Sequence, residues 1–173
     1  MLKHHRPYAA IALSMLLALA PAIAALPPAD FSLRSLDGGT VSARSLRGKV
    51  VVLAFGASWL PLSRAQARDI QKVADNYSGR GVEVYWVSTE AETPKSKNYA
   101  SDDQLRAFAQ KNGLKVTVLR DPEGAALRAL NVDQIPAVVI LDRQGNIAGA
   151  PIGGLDEKDN LADQIAARLN GLL

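Results

Sequence analysis

Cysteine is absent from this 173-residue chain, and its two histidines, His4 and His5, stand close to the start. Without cysteine there is no thiolate to attack a disulfide or a peroxide, and no disulfide bridge to support the fold. If the leading segment is cleaved, the remaining chain holds no histidine either. Cys–His and Ser–His–Asp nucleophile systems are then excluded, together with the usual zinc, copper, haem and iron–sulfur ligand sets. No metal and no cofactor is expected. Runs of lysine and arginine are also missing, so neither nucleic acid nor an anionic membrane surface is indicated as a partner.

What is present begins with a leader pattern. Lys3 and Arg6 precede an apolar run from Tyr8 to Ala20, followed by Pro21 and the small-residue sequence Ala22-Ile23-Ala24. This order of basic start, apolar stretch and small residues predicts a secretory signal over residues 1–24, cleaved after Ala24. The apolar run is shorter than the roughly 20 residues of a spanning helix, and an uncleaved anchor is the alternative. Export places the protein outside the cytoplasmic membrane, with the periplasm as the expected compartment. Loss of Lys3 and Arg6 lowers the formal net charge from +3 to +1, with 18 basic against 17 acidic residues. Residues 25–173 have the length and composition of one globular domain.

The pattern along that domain alternates strands and helices. Leu26 to Leu33 is a proline-stiffened lead into a short strand, and Asp37-Gly38-Gly39 turns it towards a second around Val41, making a hairpin. Lys49 to Phe55 is an unbroken apolar, β-branched run, as in a strand covered on both faces. A helix from about Ser63 to Tyr77 follows, with Ala67, Ile70, Val73 and Ala74 facing inward; Gly79 and Gly81 end it. Val82 to Val87 completes a β-α-β unit. Thr89 to Asp103 reads as an exposed loop, and a second helix runs to Lys111. A short strand at Val116–Leu119, a short helix at Pro122–Leu130, a strand at Ala137–Leu141, a hairpin partner at Ile147–Ile152 and a helix at Asp156–Leu172 complete the order.

Several motifs carry a family resemblance. Asp30-Phe31-Ser32-Leu33, Leu46-Arg47-Gly48-Lys49-Val50-Val51 and Phe55-Gly56-Ala57-Ser58-Trp59-Leu60-Pro61-Leu62-Ser63-Arg64 occur in order, followed by Leu119-Arg120-Asp121-Pro122-Glu123-Gly124 and Val132-Asp133-Gln134-Ile135-Pro136. Together they resemble the TlpA/ResA-like redoxins, related to AhpC/TSA proteins, over about residues 30–169. The resemblance implies a thioredoxin-like three-layer α/β/α sandwich: a mixed central sheet with flanking helices, an N-terminal β-hairpin extension and a cis-proline loop at Pro136. It also implies thiol-disulfide oxidoreductase activity and a role in redox homeostasis.

The departures fall where that activity would reside. Leu60 stands at the position of the attacking cysteine and Ser63 at that of the resolving cysteine, while Gln66 replaces an acid common in the family. Ala54 and Gly56 replace a polar and an aromatic residue. Leucine cannot ionise, and Ser63 reads as a helix N-cap or first-turn residue. No catalytic residue is expected, and redox inactivity follows. What the resemblance leaves is peptide recognition. Ile135, before Pro136, would offer its backbone to an extended strand. Trp59, Leu60, Pro61 and Leu62 would lie beside it with the Gly153-Gly154 loop.

The expected role is therefore a non-catalytic binding or chaperone-like module engaging a protein or extended peptide in the cell envelope. The alternatives are a vestigial redoxin and a structural subunit of an envelope assembly such as cytochrome c maturation. Glu90 and Glu92 read as solvated loop charges and not as a carboxylate site.

Overall fold

The computed structural model describes residues 30–153 and 160–173. The expected leader, Gly154 of the Gly153-Gly154 loop and the expected beginning of the last helix at 156–159 lie outside the described residues. The elements are β1 (Ser32–Ser35), β2 (Thr40–Ser42), a 3-10 turn (Arg44–Leu46), β3 (Val50–Gly56), α1 (Pro61–Tyr77), β4 (Val82–Ser88), α2 (Asp102–Lys111), β5 (Val118–Arg120), α3 (Ala125–Ala129), β6 (Ala137–Leu141) and α4 (Leu161–Asn170). Among the described residues no helix is long and apolar enough to cross a membrane.

The six strands form one mixed sheet in the order β2-β1-β5-β4-β3-β6. β3 and β4 run parallel, with Val52 opposite Val84 and Gly56 opposite Ser88; β6 runs antiparallel to β3, with Phe55 opposite Ala137. The central strand β3 is buried along its whole length. Successive side chains on a strand point to opposite faces, and both faces of β3 are used. Val50, Val52 and Ala54 enter a core shared with Ile70 of α1, Leu105 of α2 and Ile165 of α4. Val51, Leu53 and Phe55 enter the other, with Leu46, Ala126 and Leu130. The result is the thioredoxin-like α/β/α arrangement, with α1, α2 and α4 on one side of the sheet and α3 on the other.

β1 and β2 form the hairpin extension, with Leu33 opposite Val41. Gly38 and Gly39 both take positive φ, at 97° and 76°, which a side chain would strain. Differences from the sequence expectation cluster at ends. The extended partner expected at Ile147–Ile152 pairs with β6 only through isolated bridges, Leu141 to Ile147 and Val138 to Ile152, because Gly149 and Pro151 interrupt it. α3 is shorter than expected, since Pro122 to Gly124 form a turn and the Asp121 carboxylate accepts the N–H groups of Ala126 and Leu127.

The segment after β4 departs most. Expected as an exposed loop, it folds back around Arg120, whose side chain is 1% exposed. Nη2 of Arg120 donates to the carbonyls of Glu90, Ala91 and Ala100 at 3.1, 3.3 and 3.1 Å, and Nη1 to Asp102 at 2.8 Å. One buried guanidinium thus gathers both ends of the segment. Ser101 then caps α2 by accepting from Gln104 N while its own N–H donates to the Gln104 side chain.

Candidate functional site

The junction of β3 and α1 is built on a helix start without a side-chain cap. Leu60 is the N-cap residue, with φ −74° and ψ 127°, and Pro61 occupies the first helical turn, where its missing N–H costs nothing. Ser63 is a first-turn residue and is fully buried. Its hydroxyl accepts the N–H of Ala57 at 3.2 Å, closing the loop that carries Ser58, Trp59 and Leu60. A buried hydroxyl committed in this way is a structural group. At the two positions where the family resemblance implies cysteine, the protein holds a half-buried leucine and this serine.

Beneath the junction, Gln66 is the hub of a buried polar cluster. Its amide nitrogen donates to the carbonyls of Phe55 (3.2 Å) and Ala137 (3.1 Å), and its oxygen accepts the indole N–H of Trp86 at 3.2 Å. All its bonds tie α1 to β3, β4 and β6. Gly56 makes this packing possible: a Cβ there would lie 2.8 Å from both Gln66 Oε1 and Ser63 Oγ, and 3.0 Å from the Trp86 ring. The resemblance implies an aromatic at position 56; here Gln66, Ser63 and Trp86 line the space that a side chain there would enter.

Glu90 corrects the reading of its charge as solvated. It is 1% exposed. One carboxylate oxygen accepts from Ser58 N (3.0 Å) and Ser58 Oγ (2.5 Å), the other from Ser88 Oγ (2.9 Å). These donors replace the hydration lost on burial. Glu92 is half-exposed and ion-paired to Arg34 at 2.6 Å. Asn98, in the same segment, accepts the indole N–H of Trp59 at 2.7 Å and donates to Thr89 O at 3.0 Å. Trp59 is therefore fixed at its polar edge while 57% exposed, the most exposed large hydrophobic side chain among the described residues.

The second wall comes from the start of β6. The Ile135–Pro136 peptide bond is cis. Pairing of Ala137 with Phe55 sets Ile135 and Pro136 at the same end of the sheet as the Ser58–Leu62 junction. Ile135 is half-buried against the core on the α3 side, and among the described residues no hydrogen bond is made to its N–H or C=O. Of the other residues expected to make contact, Pro61 is exposed, Leu60 and Leu62 are half-buried and Pro136 is buried, so Pro136 shapes the surface from below. Gly153 packs against the side chain of Gln134.

Arg34, Glu92, Asp102 and Arg120 pair with one another around the 89–101 segment. Arg34 bonds Asp102 through both terminal nitrogens at 2.9 Å, and these bonds hold the Asp102 carboxyl below its ordinary value, with desolvation opposing. Asp102 also receives Arg120. Among the described residues no group of His, Cys, Asp and Glu could hold a metal ion. The sequence reading missed Glu90, Asn98 and Arg120. Arg120 alone carried a local signal: a charge at the end of the apolar strand Val118-Leu119.

Comparison with known proteins agrees with this geometry. The sequence model of the AhpC/TSA family matches residues 25–150. The thioredoxin-like protein YneN of Bacillus subtilis is 32% identical over 130 residues, covering 75% of this chain and 72% of YneN. Among solved structures, a secreted Mycobacterium tuberculosis disulfide oxidoreductase superposes with a TM-score of 0.61 at 25% identity, over 82% of this chain and 96% of its own. The exposed lipoprotein thioredoxin Etrx1 of Streptococcus pneumoniae gives a TM-score of 0.65 at 28% identity, over 83% and 100%.

Proposed function

The chain belongs to the AhpC/TSA family, and we propose that within it this protein binds an extended segment of a protein partner without thiol chemistry. A family built on thiol-disulfide exchange needs a thiolate at the helix start, where the helix dipole and free N–H groups favour it. This chain has no cysteine. It can neither form a mixed disulfide nor reduce a peroxide.

One arrangement carries the reading. Trp59 is 57% exposed yet held by Asn98, next to Leu60 and Leu62 and at the same sheet end as the backbone of Ile135, which is unbonded among the described residues. An exposed, immobilised aromatic beside apolar neighbours loses little conformational freedom on binding. The N–H and C=O of Ile135 supply main-chain pairing, and Trp59, Leu60 and Leu62 supply apolar contact. The polar cluster of Gln66, Trp86 and Ser63 also favours a maintained role, because each of its buried polar atoms has a hydrogen-bond partner.

The compartment we assign is the cell envelope. Its support is the leader pattern of residues 1–24 and the description of similar proteins as secreted or as an exposed lipoprotein. The test is photocrosslinking in the native envelope from a reactive residue at Leu60, with purified partner then captured by the wild type and by Trp59→Ala/Leu62→Ser. Loss of capture with an unchanged melting temperature is the expected result. Equal capture by the variant, or insulin reduction by the wild type above a protein-free control, would refute the proposal.

A further inference from the structure

Most carboxylates of the 89–103 segment have partners elsewhere in the fold, and among the described residues its lysines do not. Glu90 is buried on Ser58 and Ser88, Glu92 is paired with Arg34, Asp102 with Arg34 and Arg120, and Asp103 with Arg106. Glu90, Glu92 and Asp102 are thus engaged by other parts of the fold, whereas Asp103 pairs within its own helix and stays exposed. Lys95 and Lys97 are exposed, and among the described residues neither has an ion-pair partner. Lys97 adjoins Asn98, which holds the Trp59 indole. Arg64, one helical turn after Leu60, is likewise exposed and unpaired among the described residues. On the cis-proline side Asp133 is exposed.

From this asymmetry we infer that the partner segment is acidic: an extended peptide whose apolar residues meet Trp59, Leu60 and Leu62 and whose flanking carboxylates meet Lys95, Lys97 and Arg64. The inference rests on the proposed binding role and specifies its ligand. Exposed cations on a nearly neutral domain steer an oppositely charged ligand and select against a like-charged one. The buried Arg120, holding three carbonyls of the segment, keeps the lysine-bearing turn in place before any partner arrives. Asn98 makes the same turn continuous with Trp59, so apolar and cationic contacts belong to one surface.

The test uses the purified chain and three fluorescein-labelled peptides that share an apolar Leu-Val-Phe-Val core, flanked by glutamates, serines or lysines. Binding is followed by anisotropy and by tryptophan fluorescence at low and high salt. The glutamate-flanked peptide should bind about tenfold more tightly than the serine-flanked one at low salt, since several exposed pairs each contribute a few-fold and are screened by salt. High salt should remove that advantage. Arg64→Glu/Lys95→Glu/Lys97→Glu should transfer the preference to the lysine-flanked peptide, and Trp59→Ala should weaken all three. Equal affinity for the three peptides, still sensitive to Trp59→Ala, would overturn the acidic specificity and leave the binding role standing. No binding of any peptide, or binding indifferent to Trp59→Ala, would overturn both. Both would also fall if the same face bound phosphatidylglycerol vesicles, or a second copy of the chain, in preference to peptide.

Discussion

Glu90 accepts both the backbone N–H and the hydroxyl of Ser58, at 3.0 and 2.5 Å, so a carboxylate from the segment after β4 holds the residue that precedes Trp59. Two loops from different parts of the chain are joined through one buried anion. Glu90→Ala would leave Ser58 N–H and the Ser88 hydroxyl without an acceptor, and unmade buried bonds cost about 1–3 kcal/mol each. The variant should therefore lose roughly 2–4 kcal/mol in urea unfolding. Trp59 emission should shift with it. Glu90→Gln, which keeps an acceptor, should lose distinctly less; equal losses would contradict the bonding scheme.

Gly56 has no room for a methyl group. Gly56→Ala should destabilise by about 1–3 kcal/mol, the usual cost of overpacking. Because Ser63 Oγ is one of the two atoms 2.8 Å from the added Cβ, Gly56→Ala/Ser63→Ala should cost less than the sum of the single variants. Additive losses in a double-mutant cycle would show that the backbone moves instead.

Arg120 organises residues 90–102 by presenting its guanidinium to three carbonyls and to Asp102. Replacing it with methionine leaves those acceptors buried, at a cost of roughly 3–5 kcal/mol. Amide exchange of residues 91–100 should accelerate more than that of β3. Uniform acceleration across the sheet would mean that Arg120 supports global stability alone.

The Asp102 carboxyl lies below its ordinary value of 3.8, chiefly through its hydrogen bonds from Arg34. A depressed carboxylate stabilises the fold fully above its unfolded value, and that contribution is lost as pH falls through the lower folded value. The wild type should therefore lose stability on acidification from about pH 5 downward, and Asp102→Asn should show a shallower slope over the same range. Parallel slopes would assign the acid sensitivity to other carboxylates.

Much of the fold was legible because burial on both faces leaves a plain record. Val50 to Phe55 and Ala137 to Leu141 are continuous apolar runs, and the inward positions of α1 repeat with helical spacing. The cis-proline position was legible from ordered motifs, and the same motifs mark Leu60 and Ser63 as the positions where the resemblance implies cysteine. Other features were not, because polar residues look alike in sequence whether they meet water or a distant partner. Glu90 and Glu92 are two positions apart and have opposite fates, one buried on Ser58 and Ser88, the other half-exposed on Arg34. Gln66 could be read as an acid lost; only contact with Trp86, Phe55 and Ala137 identifies it as a packing hub.

By itself, the sequence determined which chemistry is absent, since a chain without cysteine has no thiolate, and it determined the order of strands and helices through local periodicity. Tertiary structure alone decided which charges of residues 89–103 find distant partners. Glu90, Glu92 and Asp102 are engaged by Ser58, Ser88, Arg34 and Arg120, while Lys95 and Lys97 stay exposed beside the Asn98–Trp59 contact. Several of those partners lie 30 or more residues away along the chain, and no local pattern encodes a pairing that exists only when the sheet brings its strands together.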